Sequence, residues 1–366
     1  MRLLGRFLGI GAWLGVFLVA LQGPPPSVFQ RGAVDAAQYD PLPSVRLVHA
    51  PRLTLSTDVD SNIPMVWERV EGLWRLFAFT SINGIPSRHT GASLDRLQNG
   101  GRAALVPDPG HGVWIQSIVP DENGAWYGFY HHERPAEVCG RPDQFILRLG
   151  AARSRDHGRT WQDLGIILEA APDTLACASP NRYVIGGVGD VSALLTPDRA
   201  DLFLFFSQYS RHPAHQGVAV ARLAWADRDA PVGRLTVWAG RAWIPSRGEI
   251  AGAPLVAVSK PWHDGSPDAD AFWGPSIHWN HYLGRYVMLL NRARDEDFNS
   301  DGIYISYARS LRDPRQWSAP RKILDRPMWY PQVAGLDPAT GTDREAGRRA
   351  RFFVHGRSEY YIDFLR

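Results

Sequence analysis

Four short strands separated by polar turns recur along this chain, and that recurrence limits the fold more than any other feature. The plainest copy runs from Trp273 to Asn280, turns over His281 to Gly284, and returns from Arg285 to Asn291. It then continues with Ile303 to Ser310 and Arg321 to Leu324. Such a quartet is the unit of a β-propeller blade. A propeller gathers the first strand of every blade around a central funnel, so functional residues are expected where those first strands begin.

Five such units can be laid out, which predicts an all-β, five-bladed β-propeller over residues 44–366. Blade one takes Ile63 to Arg69, Trp74 to Ser81, Thr90 to Arg96 and Arg102 to Val106. Blade two takes Val113 to Val119, Trp126 to His132, Leu147 to Ser154 and Leu164 to Leu168, with a hairpin turn at Pro120 to Gly124. Blade three takes Asp190 to Leu195, Leu202 to Tyr209, Val218 to Trp225 and Leu235 to Trp238, and blade four is the copy above. Blade five has only Tyr330 to Leu336, Arg351 to Arg357 and Glu359 to Leu365 before the chain ends. Its fourth strand is expected from Val45 to Ala50 or Arg52 to Ser56, closing the ring by pairing N- and C-terminal strands and leaving no open sheet edge.

The composition agrees: 35 Gly and 28 Pro in 366 residues supply many turns, and 45% hydrophobic residues argue against disorder. A formal net charge of +3 without a basic block argues against a nucleic-acid partner. Arg2 and Arg6 precede the apolar run Phe7 to Leu21, whose 15 residues suit a signal peptide better than a membrane span. No good cleavage site follows, so residues 1–23 read as a signal peptide or an uncleaved N-terminal anchor. The protein is expected to be exported, periplasmic or extracellular, with any membrane contact confined to that segment. Residues 24–43 read as a Pro/Ala-rich linker. Two cysteines, Cys139 and Cys177, are an even count in an exported chain and suggest one disulfide.

Ser154-Arg-Asp-His-Gly-Arg-Thr-Trp161 matches the Asp-box pattern S-x-D-x-G-x-T-W. Asp156 can accept backbone N–H groups, Gly158 can take a positive φ, and Trp161 can fold back on the sheet, which makes the motif a structural turn facing away from the funnel. Asp boxes in blades resemble those of sialidases and related secreted glycan-active proteins. Five blades carrying Trp273-Gly-Pro-Ser276, Tyr286-Val-Met-Leu289 and Trp317-Ser-Ala-Pro320 resemble the arabinanase and xylosidase type of five-bladed glycosidase. The chain also resembles a group of uncharacterised exported bacterial propellers with a Gly-Gly-x-Gly-Asp step, here Gly186 to Asp190.

The resemblance implies an oligo- or polysaccharide partner and three funnel carboxylates: a base, an acid and a helper that tunes the acid. Asp60 is the candidate base or electrostatic partner, Asp190 the acid or its helper, and Glu133 the other carboxyl. Asp190 stands where that type carries Glu, and the neutral Gln116 stands where it carries the helper Asp. Asp58, Arg88, Gln116, His131, His132, Trp273, His278 and Tyr330 are the candidate substrate-binding residues. His278 is also a candidate for holding water around a central cation such as calcium; no other cofactor is expected. Bland readings stand beside these: turn caps for Asp58, Asp60 and Asp190, a solvated loop for His131 to Glu133, and packing for Trp273 and Tyr330. A sialidase-like arrangement would draw on Arg88, Arg211, Arg292, Arg357, Tyr330 and Glu359, though no motif orders them. The neutral Gln116 also leaves open a non-catalytic carbohydrate-binding or surface scaffold propeller.

Overall fold

The structure, a computed structural model, describes residues 41–106, 112–246, 249–250, 252–265 and 268–366. The expected signal or anchor segment and all but the last three residues of the expected linker lie outside them. The described residues contain strands and short 3-10 turns, without an α-helix. The strands make five blades. Blade one pairs Met65–Val70, Leu73–Ile82, Ile85–Gly91 and Gln98–Arg102 in order. Blade two pairs Val113–Pro120, Trp126–Ala136, Arg141–Ser154 and Thr160–Ala170. Blade three pairs Val184–Leu195, Asp201–Tyr209, Gln216–Ala224 and Thr236–Trp238, and blade four Phe272–Asn280, Arg285–Ala293, Ser300–Ala308 and Arg321–Asp325. Blade five orders Pro331–Gly335, Arg349–Val354 and Arg357–Leu365, with Ser44–Thr54 as the outermost strand. That N-terminal strand runs antiparallel to the C-terminal one, with Val45 opposite Phe364 and Thr54 opposite Arg357.

Two sequence expectations for blade one need correction. The third strand of blade one is Ile85–Gly91, not Thr90 to Arg96, and Leu94–Arg96 is a 3-10 turn. The cause is Asn83-Gly84, whose φ values of 49° and 70° make a two-residue hairpin with Ile82 opposite Ile85. Both residues tolerate the left-handed region that such turns require. The segment Ala104–Val106, expected within blade one, pairs parallel with Thr160 to Gln162 of blade two instead.

Alternating residues on each strand face opposite sides of a blade, and both sides are apolar and covered. Phe77 and Phe79 of blade one pack with Trp126 and Trp161 of blade two. Leu149 packs with Val191 and Leu204 between blades two and three, and Phe205 with Ile277 and Met288 between three and four. Leu289 and Ile305 meet Phe352 and Ile362 between blades four and five, and Ala334 and Phe353 meet Met65 and Leu76 of blade one. A buried side chain of this size contributes about 2–3 kcal/mol.

Polar side chains join the inner strands. Ala193 N–H donates to Ser117 Oγ (3.0 Å), Ile277 N–H to Ser192 Oγ (3.0 Å) and Ile63 N–H to Gln332 Oε1 (2.7 Å). Asn62 Nδ2 donates to the Pro275 carbonyl at 2.9 Å, linking blades one and four, which are not neighbours. Cys139 and Cys177 form a disulfide with Cα atoms 5.2 Å apart.

Candidate active site

The inner strand of blade three carries the first element of the site. Gly186 and Gly187 have φ values of 148° and 113°, which lets the backbone run against blade two: a Cβ on Gly187 would sit 2.2 Å from the Leu147 carbonyl oxygen. A Cβ on Gly189 would sit 2.5 Å from His131 Nδ1. The glycines therefore let His131 lie beside the next residue, Asp190, whose own φ is 48°. A non-glycine residue held there stores about 1–3 kcal/mol of strain, a pattern common at functional sites.

Asp190 is buried and accepts hydrogen bonds on both oxygens. Gln116 Nε2 donates to Oδ1 at 3.2 Å, and the Tyr209 hydroxyl donates to Oδ2. Its backbone N–H donates to His131 Nδ1 at 3.3 Å. His131 in turn lies with Nδ1 3.9 Å from Asp190 Oδ1 and Nε2 3.5 Å from Glu133 Oε1. Burial lowers the basicity of His131, but the Glu133 hydrogen bond and the charges of Asp190, Glu133 and Asp60 outweigh it, so its pKa is raised.

Asp60 enters from the segment preceding blade one. Trp114 Nε1, from the inner strand of blade two, donates to Asp60 Oδ1 at 2.7 Å. Burial pushes the Asp60 carboxyl up to about 6; the Trp114 bond and the carboxyl's own backbone N–H oppose the rise, and the negative charge of Glu133 adds to it. Tyr330 immediately precedes the inner strand of blade five and also has a left-handed φ, 57°. Burial, then the charges of Asp190, Asp60 and Glu133, hold its hydroxyl well above the usual range. Asp60, Glu133 and Asp190 thus act on one half-buried tyrosine although 130 positions separate the first from the last.

The remaining sequence candidates lie as follows. Gln116 is in the cluster. Asp58 is exposed beside it, with φ 59°, and its charge acts on His355. Trp273 is buried against Phe298, Trp329 and Tyr330 (ring centroids 5.1, 5.8 and 5.6 Å), so it packs the wall behind Tyr330. Three candidates are corrected. His132 points to the opposite side of its strand from His131, as neighbours on a strand must, and accepts from Arg148 Nε at 2.8 Å. Arg88 donates to the His157 carbonyl at 2.7 Å and stacks over Phe77, on the Asp156 turn rather than on the carboxylates. His278 is fully buried with its ring 5.5 Å from Phe364, and burial takes its pKa down to about 3. Its neutral ring faces a blade interface, and no group of three or more His, Cys, Asp or Glu side chains among the described residues could hold a metal ion. Neither ring nitrogen of His278 has a hydrogen-bond partner among the described residues. The arginines of the sialidase-like arrangement are dispersed: Arg211 lies beside His212, Arg292 on Tyr304, and Arg357 beside Glu359 at a cavity near Tyr360.

Three residues escaped sequence reasoning. Tyr209 ends the second strand of blade three; Trp114 lies opposite His131 in blade two. Asn291 lies opposite Trp273 in blade four, repeating the Trp114–His131 arrangement, and neither of its side-chain polar atoms has a partner among the described residues. The repeated Trp-opposite-polar pairing is the signal that could have found Trp114 and Asn291.

No protein-family model matches the chain, and no curated protein sequence matches it. Solved structures do. A thermostable family-43 glycoside hydrolase matches at 12% identity over 85% of this chain and 90% of its own, with a TM-score of 0.50. An endo-arabinase from Bacteroides thetaiotaomicron (11% identity, 87% and 96% covered, TM-score 0.48) and a GH43 enzyme from Xanthomonas citri (13%, 87% and 91%, 0.48) are also similar. The arrangement of blades and the similarity to the thermostable enzyme together identify the fold: this chain is a five-bladed β-propeller of the type found in family-43 glycoside hydrolases.

Proposed function

We propose that the protein is exported and hydrolyses a glycosidic bond in an oligo- or polysaccharide at the cluster of Asp60, Glu133, Asp190, His131 and Tyr330. The observation that carries this reading is the convergence of three carboxylates from blades one, two and three on His131 and Tyr330. A carboxylate with a pKa of about 6 is a stronger proton acceptor than an ordinary one and is still ionised at neutral pH, which suits Asp60 to a general base. Asp60 takes a proton from water, the water oxygen bonds to the anomeric carbon, the glycosidic C–O bond breaks, and His131, which the neighbouring carboxylates hold protonated, gives its proton to the leaving oxygen with Asp190 as the helper that tunes it. Tyr209 and Gln116 fix the Asp190 carboxyl in orientation, and Glu133 supports the charge of His131. A base that activates water and a separate group that protonates the leaving oxygen make the inverting scheme.

A second reading rests on Gln116. Its amide, 3.2 Å from Asp190, cannot share or release a proton as a carboxyl helper would, which favours a carbohydrate-binding propeller without turnover. A chromogenic-glycoside screen, run beside a glycan array, separates the two readings. Hydrolysis by the wild type that falls at least 100-fold in both Asp60→Asn and Asp190→Asn supports the enzyme. Glycan binding with no turnover, or turnover unchanged in Asp190→Asn, removes it.

A further inference from the structure

A second polar site lies away from the carboxylate cluster. A cavity of about 430 Å³ lies between blades one and two and is lined by Arg75, Arg88, Arg96 and Arg159, with Thr90, Gln98 and His157. Chain direction places it. The Asn83-Gly84 turn contacts Val113 (Val113 N–H to Gly84 O, 3.0 Å), and Glu133 N–H donates to Gly112 O, so that end of both blades carries Glu133. The cavity gathers instead around the opposite turns: Val70 and Arg75 flank the Glu71-Gly72 hairpin, and His157 and Arg159 belong to the turn between the third and fourth strands of blade two.

We propose that this cavity binds a tetrahedral oxyanion of the sulfate or phosphate type, with Arg88 as its buried anchor and Arg75, Arg96 and Arg159 at its rim. Four guanidinium groups share one cavity, and among the described residues none of the four forms an ion pair. Arg88 is only 6% exposed. Its Nε is committed to the His157 carbonyl and its plane lies 4.8 Å from the Phe77 ring, so the fork cannot swing out to water. Among the described residues its terminal nitrogens have no protein acceptor. Of the neighbouring acids, Asp156 accepts from Ser154 and Thr160, and Glu68 lies 3.8 Å from His157 through Oε1 while its Oε2 has no partner among the described residues. Burial and the like charge of Arg159 both disfavour the Arg88 cation, which is the direction an incoming anion reverses. A planar fork with free parallel N–H donors matches oxygens on sulfur or phosphorus. The volume exceeds that of a bare ion and admits the sugar ring of a sulfate or phosphate ester.

Isothermal titration calorimetry on the full chain tests this, with inorganic phosphate, inorganic sulfate, glucose 6-sulfate and glucose as probes at matched ionic strength. One saturable site for the anions and none for glucose is expected, with affinity reduced at least 10-fold in Arg88→Gln. Tighter binding of glucose 6-sulfate than of sulfate assigns the anion to a saccharide, and equal binding assigns it to the free ion; either supports the proposal. Should Arg88→Gln fail to fold, the exposed pair Arg75→Ala/Arg159→Ala must show the same loss. The absence of saturable heat with every anion overturns the proposal, as does undiminished affinity in a folded Arg88→Gln or in the double variant. Binding retained in Asp190→Asn separates this site from the carboxylate cluster.

Discussion

Trp114 of blade two donates its indole N–H to Asp60 Oδ1 at 2.7 Å, so the blade-two strand stabilises the charge of a carboxyl from the segment that leads into blade one. The bond favours the ionised form and opposes the burial that lifts Asp60 to about 6. Trp114→Phe removes the donor while keeping an aromatic ring. The Asp60 pKa is expected to rise further, and the acid limb of the pH–rate profile, where activity increases as Asp60 ionises, should move to higher pH by about one unit. Carboxyl titration followed by carbon NMR reads the same shift without a substrate. An unmoved titration would break the link between the two residues.

Asp343 is a buried carboxyl that reaches from blade five to accept the Met65 N–H at 2.8 Å, and burial raises its pKa to about 6. Because the folded value lies above the unfolded one, the folded state holds its proton more tightly. Stability from this group is fully present below about pH 4 and is lost as pH rises to about 6, a loss on the order of 3 kcal/mol. Asp343→Asn keeps an acceptor for Met65 and cannot ionise. Urea denaturation at pH 4 and pH 7.5 should show the variant gaining on the wild type at the higher pH. Parallel curves at both pH values would contradict the sign.

The Cys139–Cys177 bridge closes a loop across 38 positions of blade two and the connection to blade three. A loop of that length corresponds to about 3–4 kcal/mol in the chain-entropy picture. Cys139→Ser/Cys177→Ser, or reduction by dithiothreitol, is expected to lower the melting temperature by several degrees. Calorimetry with and without reductant provides the measurement.

Gly189→Ala places a methyl 2.5 Å from His131 Nδ1. The imidazole must shift from Asp190 and Glu133. Activity is expected to fall more than 10-fold while unfolding free energy changes by about 1–3 kcal/mol. A folded Gly189→Ala protein with full turnover would show that the His131 position is not needed.

The blades were readable because each strand is short, largely apolar and bounded by turn residues; even the pairing of the N-terminal segment with blade five followed from that blade lacking a fourth strand. Blade one was misread at its third strand, although Asn83-Gly84 between Ile82 and Ile85 is itself a two-residue hairpin signal in the sequence. Side-chain direction was the harder problem. His131 and His132 are adjacent, and only the register with Val113 and Trp114 decides which one turns to Asp190. Arg88 was placed with the carboxylates for the same reason, although its side chain lies under the His157 carbonyl. Tyr209 could not be found at all, since its bond to Asp190 spans a hairpin and depends on the left-handed backbone at Asp190.

The Asn62–Pro275 link spans blades that do not touch as neighbours, and it lies beside the residues that begin the inner strands of both. It ties the segment that carries Asp60 to the inner strand of blade four, so the position of that carboxyl depends on a blade on the far side of the ring as well as on the blade it precedes.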